Sequence, residues 1–343
     1  MTTQLDCSIG IKEESEYGTA VVPDQFLEFV SEALDDNRTF VQGEGMRVGS
    51  RVARADRREF SQVAPGGSIE LEASTSGLGI LLEAALGTVT NTEVPTAAGV
   101  FQQVHTPNDS DFAKSYTIQK GIPPLGGGAI LAHTFVGAMC ESIEFAAAAG
   151  EIVKVTTEWL AKNLNTTDEY AAPSYAAGSK LFTFVHGSIH LDDSALTVPT
   201  ATALASSAGD TLANISDFSV KWANSLDTGG FNLGGAGTRT RKNALGMGSV
   251  EGQVTAEFDS TALRDAYINN STLSLVLNFS RGEEIAAGVT AMLQIVVPAV
   301  KLNGELPKSN GGEVITQSIP FVGLDDLTNA PIYVVYRTQD SDI

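Results

Sequence analysis

The chain has 343 residues, with 21 Lys plus Arg against 41 Asp plus Glu and a formal net charge of -20. A hydrophobic fraction of 43% excludes wholesale disorder, and so acidic a surface excludes gripping nucleic acid, which relies on Lys and Arg. No run of 18 apolar residues occurs, so no membrane-spanning helix is expected; at roughly 150 residues per domain, the length suggests two domains.

The opening, Met1 to Cys7, lacks the basic and apolar regions of a signal peptide. Cys7 and Cys140 stand far apart with no metal-type spacing, so two packing thiols in a chain made in a reducing cytoplasm are expected. Pro23 to Leu34 fits an amphipathic helix and a strand followed by a turn alike. A glycine-rich stretch from Gly43 then carries Arg47, Arg51, Arg54, Arg57 and Arg58. Gly67 to Ala73 reads as a strand, and Leu78 to Leu86 as a short amphipathic helix ending at Gly87. Ser115–Gln119, Thr134–Val136, Phe182–His186, Phe218–Trp222, Leu273–Phe279 and Ile332–Arg337 are short, rich in β-branched or aromatic residues and bounded by turn formers, so they read as strands. A second glycine-rich segment, Gly234 to Lys242, carries Arg239, Arg241 and Lys242. Ser260 to Asn269 reads as a helix with Asp259 or Ser260 as its N-cap.

The two halves rhyme. Gly67-Ser-Ile-Glu leads into the first helix, as Gly248-Ser-Val-Glu leads into the second, and each follows a glycine-rich cationic segment. Downstream, a constant offset of 162 aligns Val153 with Ile315, Thr157 with Ile319 and Trp159 with Phe321. Lys154 and Thr156 fall on Thr316 and Ser318, so both copies alternate an apolar face with a polar one, as half-buried strands do. The repeat predicts a first module over 1–165, a linker over 166–179 and a second module over 180–343 with an excursion at 192–214.

Catalytic and metal chemistry find no motif. Of the four histidines, His186 and His190 are expected on one side of one strand, but no third or fourth ligand follows at zinc spacing. No GxSxG elbow, phosphate-binding loop or EF-hand loop occurs, and no cofactor is expected. What stands out is the pair of glycine-flanked cationic segments. Inside so acidic a chain, Arg47, Arg51, Arg54, Arg57, Arg58, Arg239, Arg241 and Lys242 suit a contact with an acidic partner surface, such as another copy of the chain.

Several phrases together carry a resemblance: Gly10-Ile-Lys-Glu-Glu-Ser-Glu-Tyr-Gly-Thr19, Pro23-Asp-Gln-Phe-Leu-Glu-Phe29, Arg47-Val-Gly-Ser-Arg-Val-Ala-Arg54, Tyr116-Thr-Ile-Gln-Lys-Gly121, Leu226-Asp-Thr-Gly-Gly-Phe-Asn-Leu-Gly-Gly235 and Pro298-Ala-Val-Lys-Leu302. The chain resembles, over nearly its whole length, the tail tube proteins of long, non-contractile-tailed bacteriophages. That resemblance implies a mainly β fold of two tandem β-sandwich or half-barrel modules, each with a short flanking helix. It implies a non-enzymatic virion protein, made in the bacterial host cytoplasm, that assembles with itself into rings. A duplicated chain would form a trimeric, pseudo-hexameric ring. The rings stack into a tube that meets tape measure, terminator and baseplate or tip proteins, and duplex DNA passes through it without specific binding. If six modules supply about 24 inner strands at about 4.8 Å spacing and about 40° tilt, the barrel is about 48 Å across at the backbone. Glu158, which shares strand parity with Lys154, is the expected lumen-facing carboxylate, whereas Glu151 and Glu313 share parity with the apolar set. The competing readings are a virion-surface or adhesin-like β-sandwich that binds carbohydrate or a receptor through the 192–214 excursion, and a hydrolase on a β scaffold.

Overall fold

A computed structural model describes residues 6–343 apart from 50, 126, 210, 213, 259, 260, 287, 305, 307–310 and 313. The first half contributes β1 (Ser8–Glu13), β2 (Gln25–Leu27), β3 (Phe29–Glu32), β4 (Arg38–Gln42), β5 (Arg58–Val63) and β6 (Gly66–Glu72). Helix α1 (Gly79–Leu86) follows, then β7 (Gly87–Glu93), β8 (Phe101–Pro107), β9 (Tyr116–Ile122), β10 (Leu131–Ala148), β11 (Lys154–Leu160) and β12 (Asn163–Asn165). The second half contributes β13 (Gly187–Asp192), β14 (Leu196–Thr197), β15 (Ser206–Ser207), β16 (Ile215–Ala223) and β17 (Ser249–Glu257). Helix α2 (Ala262–Ile268) precedes β18 (Leu273–Ala286), β19 (Val289–Leu302), β20 (Thr316–Gly323) and β21 (Tyr333–Thr338). The fold is mainly β and antiparallel, as the short alternating strands predict.

One large sheet organises the molecule. Its pairing order is β3-β6-β11-β10 followed by β16-β17-β20-β19. The order of the first four is repeated by the second four, with β10 and β16 as the internal joint. Strands β10 and β19 are long enough to leave this sheet and enter a second layer. The first half of β10 pairs with β9 and β12, whereas β19 pairs with β18 from Val289 to Val300 and with β21 from Met292 to Val296. Among the described residues the pairings branch without closing on themselves, so the single chain holds no closed barrel.

Alternation decides which side each strand buries. Val155, Thr157 and Trp159 on β11, and Gln317, Ile319 and Phe321 on β20, point into the core, at the register of the 162-residue offset. Burial of several hundred Å² of such apolar surface, at about 25 cal/mol per Å², is the main stabilising term. Trp159 also meets Tyr116 edge to face at 6.0 Å and donates Nε1–H to Thr157 at 2.8 Å.

Helix α1 differs from the amphipathic expectation: all eight of its residues are buried between the layers. Its exit is local chemistry, because Gly87 sits at φ 88° in the left-handed region and its N–H bonds back to Glu83. The second half supplies partners for an end carbonyl of this helix, with Asn224 Nδ2 donating to the Ala85 oxygen at 2.7 Å and Trp222 Nε1 at 3.2 Å. The expected N-cap residues Asp259 and Ser260 of α2 lie outside the described residues, and so does Glu313. Pro23 to Leu34 resolves into the short strands β2 and β3 rather than a helix.

Three further expectations are corrected. Phe182–His186 is not a strand: Phe184–His186 forms a 3-10 turn in which His186 Nδ1 accepts from the Thr183 N–H and lies 3.0 Å from its hydroxyl. His186 and His190 therefore do not share a strand, and His190 on β13 instead approaches the Gly209 carbonyl at 3.1 Å. Glu151 lies in the turn before β11, exposed, rather than on the strand with the apolar set.

Candidate assembly surfaces

The glycine–arginine stretch of the first half forms a projecting hairpin. Strands β4 and β5 pair with each other and nearly every residue of both is exposed, as are the described residues of the connection over 43–57 apart from the half-buried Arg54. With no core beneath it, the hairpin is held by its own side chains. Phe40 and Phe60 meet edge to face at 6.4 Å; Arg58 lies over Phe40 at 4.8 Å and Arg38 over Phe60 at 5.4 Å. Gln42 ties the two sides together through the Arg54 carbonyl at 3.0 Å. Arg54 is paired with Asp56, with Nε at 2.9 Å from Oδ1, and the Arg57 side chain folds against Gly43 and Gly45. Arg47 and Arg51 have no ion-pair partner among the described residues. Beside them, Met46, Val48 and Val52 are almost wholly exposed.

The second cationic segment meets the base of this hairpin, where the Val63 N–H donates to the Gly237 carbonyl at 2.9 Å. Its cations are used differently. Arg239 is 2% exposed, lies over Phe231 at 5.0 Å and donates Nη1–H to the Ala161 carbonyl at 2.7 Å. Burial lowers its pKa. The same burial, partly offset by the Arg239 charge, pushes the neighbouring Tyr17 hydroxyl up to about 12. Arg241 pairs with Asp227, whose carboxyl the Arg241 guanidinium holds below its ordinary range. Lys242 is half-buried, and its carbonyl accepts from Arg241 at 3.0 Å.

A third surface is the polar face of the large sheet. Glu158 lies on it opposite Ser68 and Ser142, as its parity with Lys154 predicts. The register adds Glu70 and Glu72 on β6, Glu144 on β10, Asp217 on β16, and Glu251 and Glu257 on β17, against three cations, Lys154, Lys221 and, opposite Val322, Lys301 on β19. Lys154 is 2.9 Å from Glu70 and lowers its pKa through that hydrogen bond. No aromatic side chain interrupts this face on β6, β11, β10, β16 or β17. Sequence reasoning found only Glu158; the others follow from the same period of two, but only once the neighbouring strands are known.

The outer layer is covered by two segments that buried glutamines hold in place. Gln119 on β9 accepts from the Ala171 N–H at 2.7 Å and donates to the Glu169 carbonyl at 2.9 Å, fixing part of the 166–179 stretch. Gln294 on β19 makes the same pair of bonds to Ala205, at 2.8 and 3.0 Å, and Gln102 on β8 donates to the Thr200 carbonyl at 2.8 Å. The 192–214 excursion thus lies along the sheet, with Ala205 packed on Val276 and Val296. Among the described residues, no group of three His, Cys, Asp or Glu could hold a metal ion, and no helix is long and apolar enough to cross a membrane.

An extended antiparallel sheet with one apolar and one acidic face, an exposed cationic hairpin and a strand order that occurs twice, with no metal cluster among the described residues, fit a structural protein. The family model described as "Phage tail tube protein" matches residues 4–323, and the chain belongs to that family. It is accordingly a structural tail tube protein and a virion component. No curated protein matches the chain.

Proposed function

We propose that the chain is the major tail tube subunit, assembling into rings of three copies that stack into the conduit for viral DNA. The observation that carries this reading is the four-strand order, present twice in one chain and joined side by side through β10 and β16. In the ring, the β19 end of one copy's sheet meets the β3 end of the next, on the pattern of that internal joint. Three copies then supply six four-strand sets, and the acidic face lines the lumen. The domain boundaries at 166–179 mark the duplication that makes each chain a two-module unit.

The charge suits the task. Duplex DNA brings one negative charge per about 1.7 Å, so a wall of carboxylates offers phosphate nothing to hold. A lumen of about 35–40 Å around a duplex about 20 Å wide leaves about 8–10 Å on each side. That gap is close to the Debye length of about 8 Å at physiological salt. The wall therefore repels DNA on close approach without impeding it at the centre.

Negative-stain microscopy of the purified chain at rising concentration tests the proposal. Rings and tubes are expected; a species that stays monomeric at every concentration contradicts it.

A further inference from the structure

Among the described residues two strand pairs join the halves of the chain: β10 with β16 in the large sheet, and β8 with β21 in the second layer. The second seam is made by the β7–β8 hairpin, which follows α1; α2, by contrast, runs almost directly into β18. Strands β8 and β21 pair from Phe101 opposite Thr338 to His105 opposite Val334, and the hairpin closes over α1. The approach is close, since a Cβ on Gly79, the first residue of α1, would stand 2.6 Å from Gln103 Oε1. Tyr336 and Thr338 complete the seam, donating their hydroxyls to the Ser74 and Thr75 carbonyls at 3.1 and 2.8 Å.

At the centre of this seam lies a buried polar pair. Gln103 and His105, two apart on β8, share the face towards α1, and neither is exposed at all. His105 Nε2 lies 3.3 Å from Gln103 Oε1, so Nε2 carries the proton and donates it. His105 Nδ1 has no hydrogen-bond partner among the described residues, and neither has the Gln103 amide nitrogen. The ionisable groups on the elements packed against β8 are engaged elsewhere. Glu83 on α1 binds Lys114, and Glu93 on β7 accepts from the Gly99 N–H. On β21, Tyr336 donates to Ser74, Tyr333 accepts from the Ala330 N–H, and Arg337 turns to the opposite face, onto Gln102. Asp340, beyond β21, accepts from the Gly77 N–H. Burial alone acts on the His105 imidazole and pushes its pKa down to about 3. A second proton would sit on Nδ1 with neither acceptor nor counter-charge, so the ring takes it up only where the seam admits water.

We infer that His105 makes the β8–β21 seam an acid-sensitive latch. With a neutral imidazole the β7–β8 hairpin stays closed over α1; with a protonated one it lifts from β21 while the β10–β16 joint holds. Opening uncovers α1, all eight of whose residues are buried when the seam is closed. The latch belongs to the single chain and does not depend on how copies assemble. The closed seam favours the neutral ring, so its contribution is complete above the ordinary histidine value of 6.5 and is lost as pH falls from there towards 3.

Amide exchange read by mass spectrometry at pH 7 and pH 4.5, corrected for the intrinsic effect of pH, tests the latch. In the unaltered chain, protection over β7, β8 and β21 should fall at pH 4.5 by about 70-fold more than protection over β16 and β17. The His105→Gln variant, neutral at both pH values, should keep its seam protection at pH 4.5 close to the pH 7 level. Glu83, Glu93 and Asp340 are present in both chains, so the difference between the chains reports His105. An equal loss in both chains overturns the inference. So does a seam that is no more acid-labile than the large sheet in the unaltered chain, a result that needs no variant and stands even if His105→Gln fails to fold.

Discussion

The two cationic segments begin from the same composition and end in opposite roles. The first stands away from the body as a hairpin whose tip cations, Arg47 and Arg51, face solvent beside Met46, Val48 and Val52. The second is folded back, with Arg239 buried against Phe231 and the Ala161 carbonyl and Arg241 spent on Asp227. The difference lies in what is within reach. A long side chain beside an unsatisfied carbonyl and an aromatic face is retained by the fold; one flanked by glycine and exposed aliphatics is left for a partner. Charge and glycine content alone do not separate a contact surface from a structural clasp.

The largest effect on stability that would sharpen this contrast belongs to Arg239→Ala. It removes a charged hydrogen bond and a ring contact inside the fold, so a loss of about 2–4 kcal/mol is expected by urea unfolding. An unchanged midpoint would show that the second segment is as free as the first. Next comes Gly237→Ala, where the segments touch. Gly237 has φ 79°, and a Cβ there would sit 2.5 Å from the Phe60 ring and 2.8 Å from the Ser61 carbonyl. A loss of about 1–3 kcal/mol is expected, with a displaced hairpin base seen in amide exchange near Val63.

Phe40→Ala breaks the hairpin's own ring pair and should cost about 0.5–1.5 kcal/mol of local rather than global stability. Faster exchange confined to β4 and β5 would be its signature. The pair Arg47→Ala with Arg51→Ala should change stability by less than about 0.5 kcal/mol while reducing tube formation. A large fall in melting temperature would mean that the tip is clasped after all.

Tyr17→Phe is the smallest and concerns pH. The folded pKa of Tyr17, about 12, lies above the ordinary value of 10.0, so the folded state favours the protonated phenol. That contribution is complete below about pH 10 and is lost as pH rises towards 12. The hydroxyl has no hydrogen-bond partner among the described residues, so the substitution should be near neutral at pH 7. It should also make unfolding between pH 10 and 12 less steep than in the unaltered chain.

Strand alternation was the most legible signal, because the period of two is local and carries its own parity check. Trp159 and Phe321 fall on the buried side of β11 and β20, and Glu158 falls on the other side, all from sequence spacing. Phe182–His186 misled because its aromatic and β-branched content imitates a strand. The Thr183–His186 bonds that curl it depend on a side chain three residues away rather than on propensity. The fate of Arg239 was not legible, since its acceptor, Ala161, lies 78 residues earlier in the chain. The acidic face was half legible: each glutamate alternates correctly within its strand, but only the register between strands places Glu70, Glu144 and Glu251 on one surface.

Reconstruction of the assembled tube by electron cryo-microscopy tests the central claim most directly. The account predicts three copies per ring, six repeats of the four-strand set around a continuous inner sheet, and Glu70, Glu144, Glu158 and Glu251 facing the channel. Six copies per ring, an inner wall broken between copies, or a channel lined by the apolar face would contradict it.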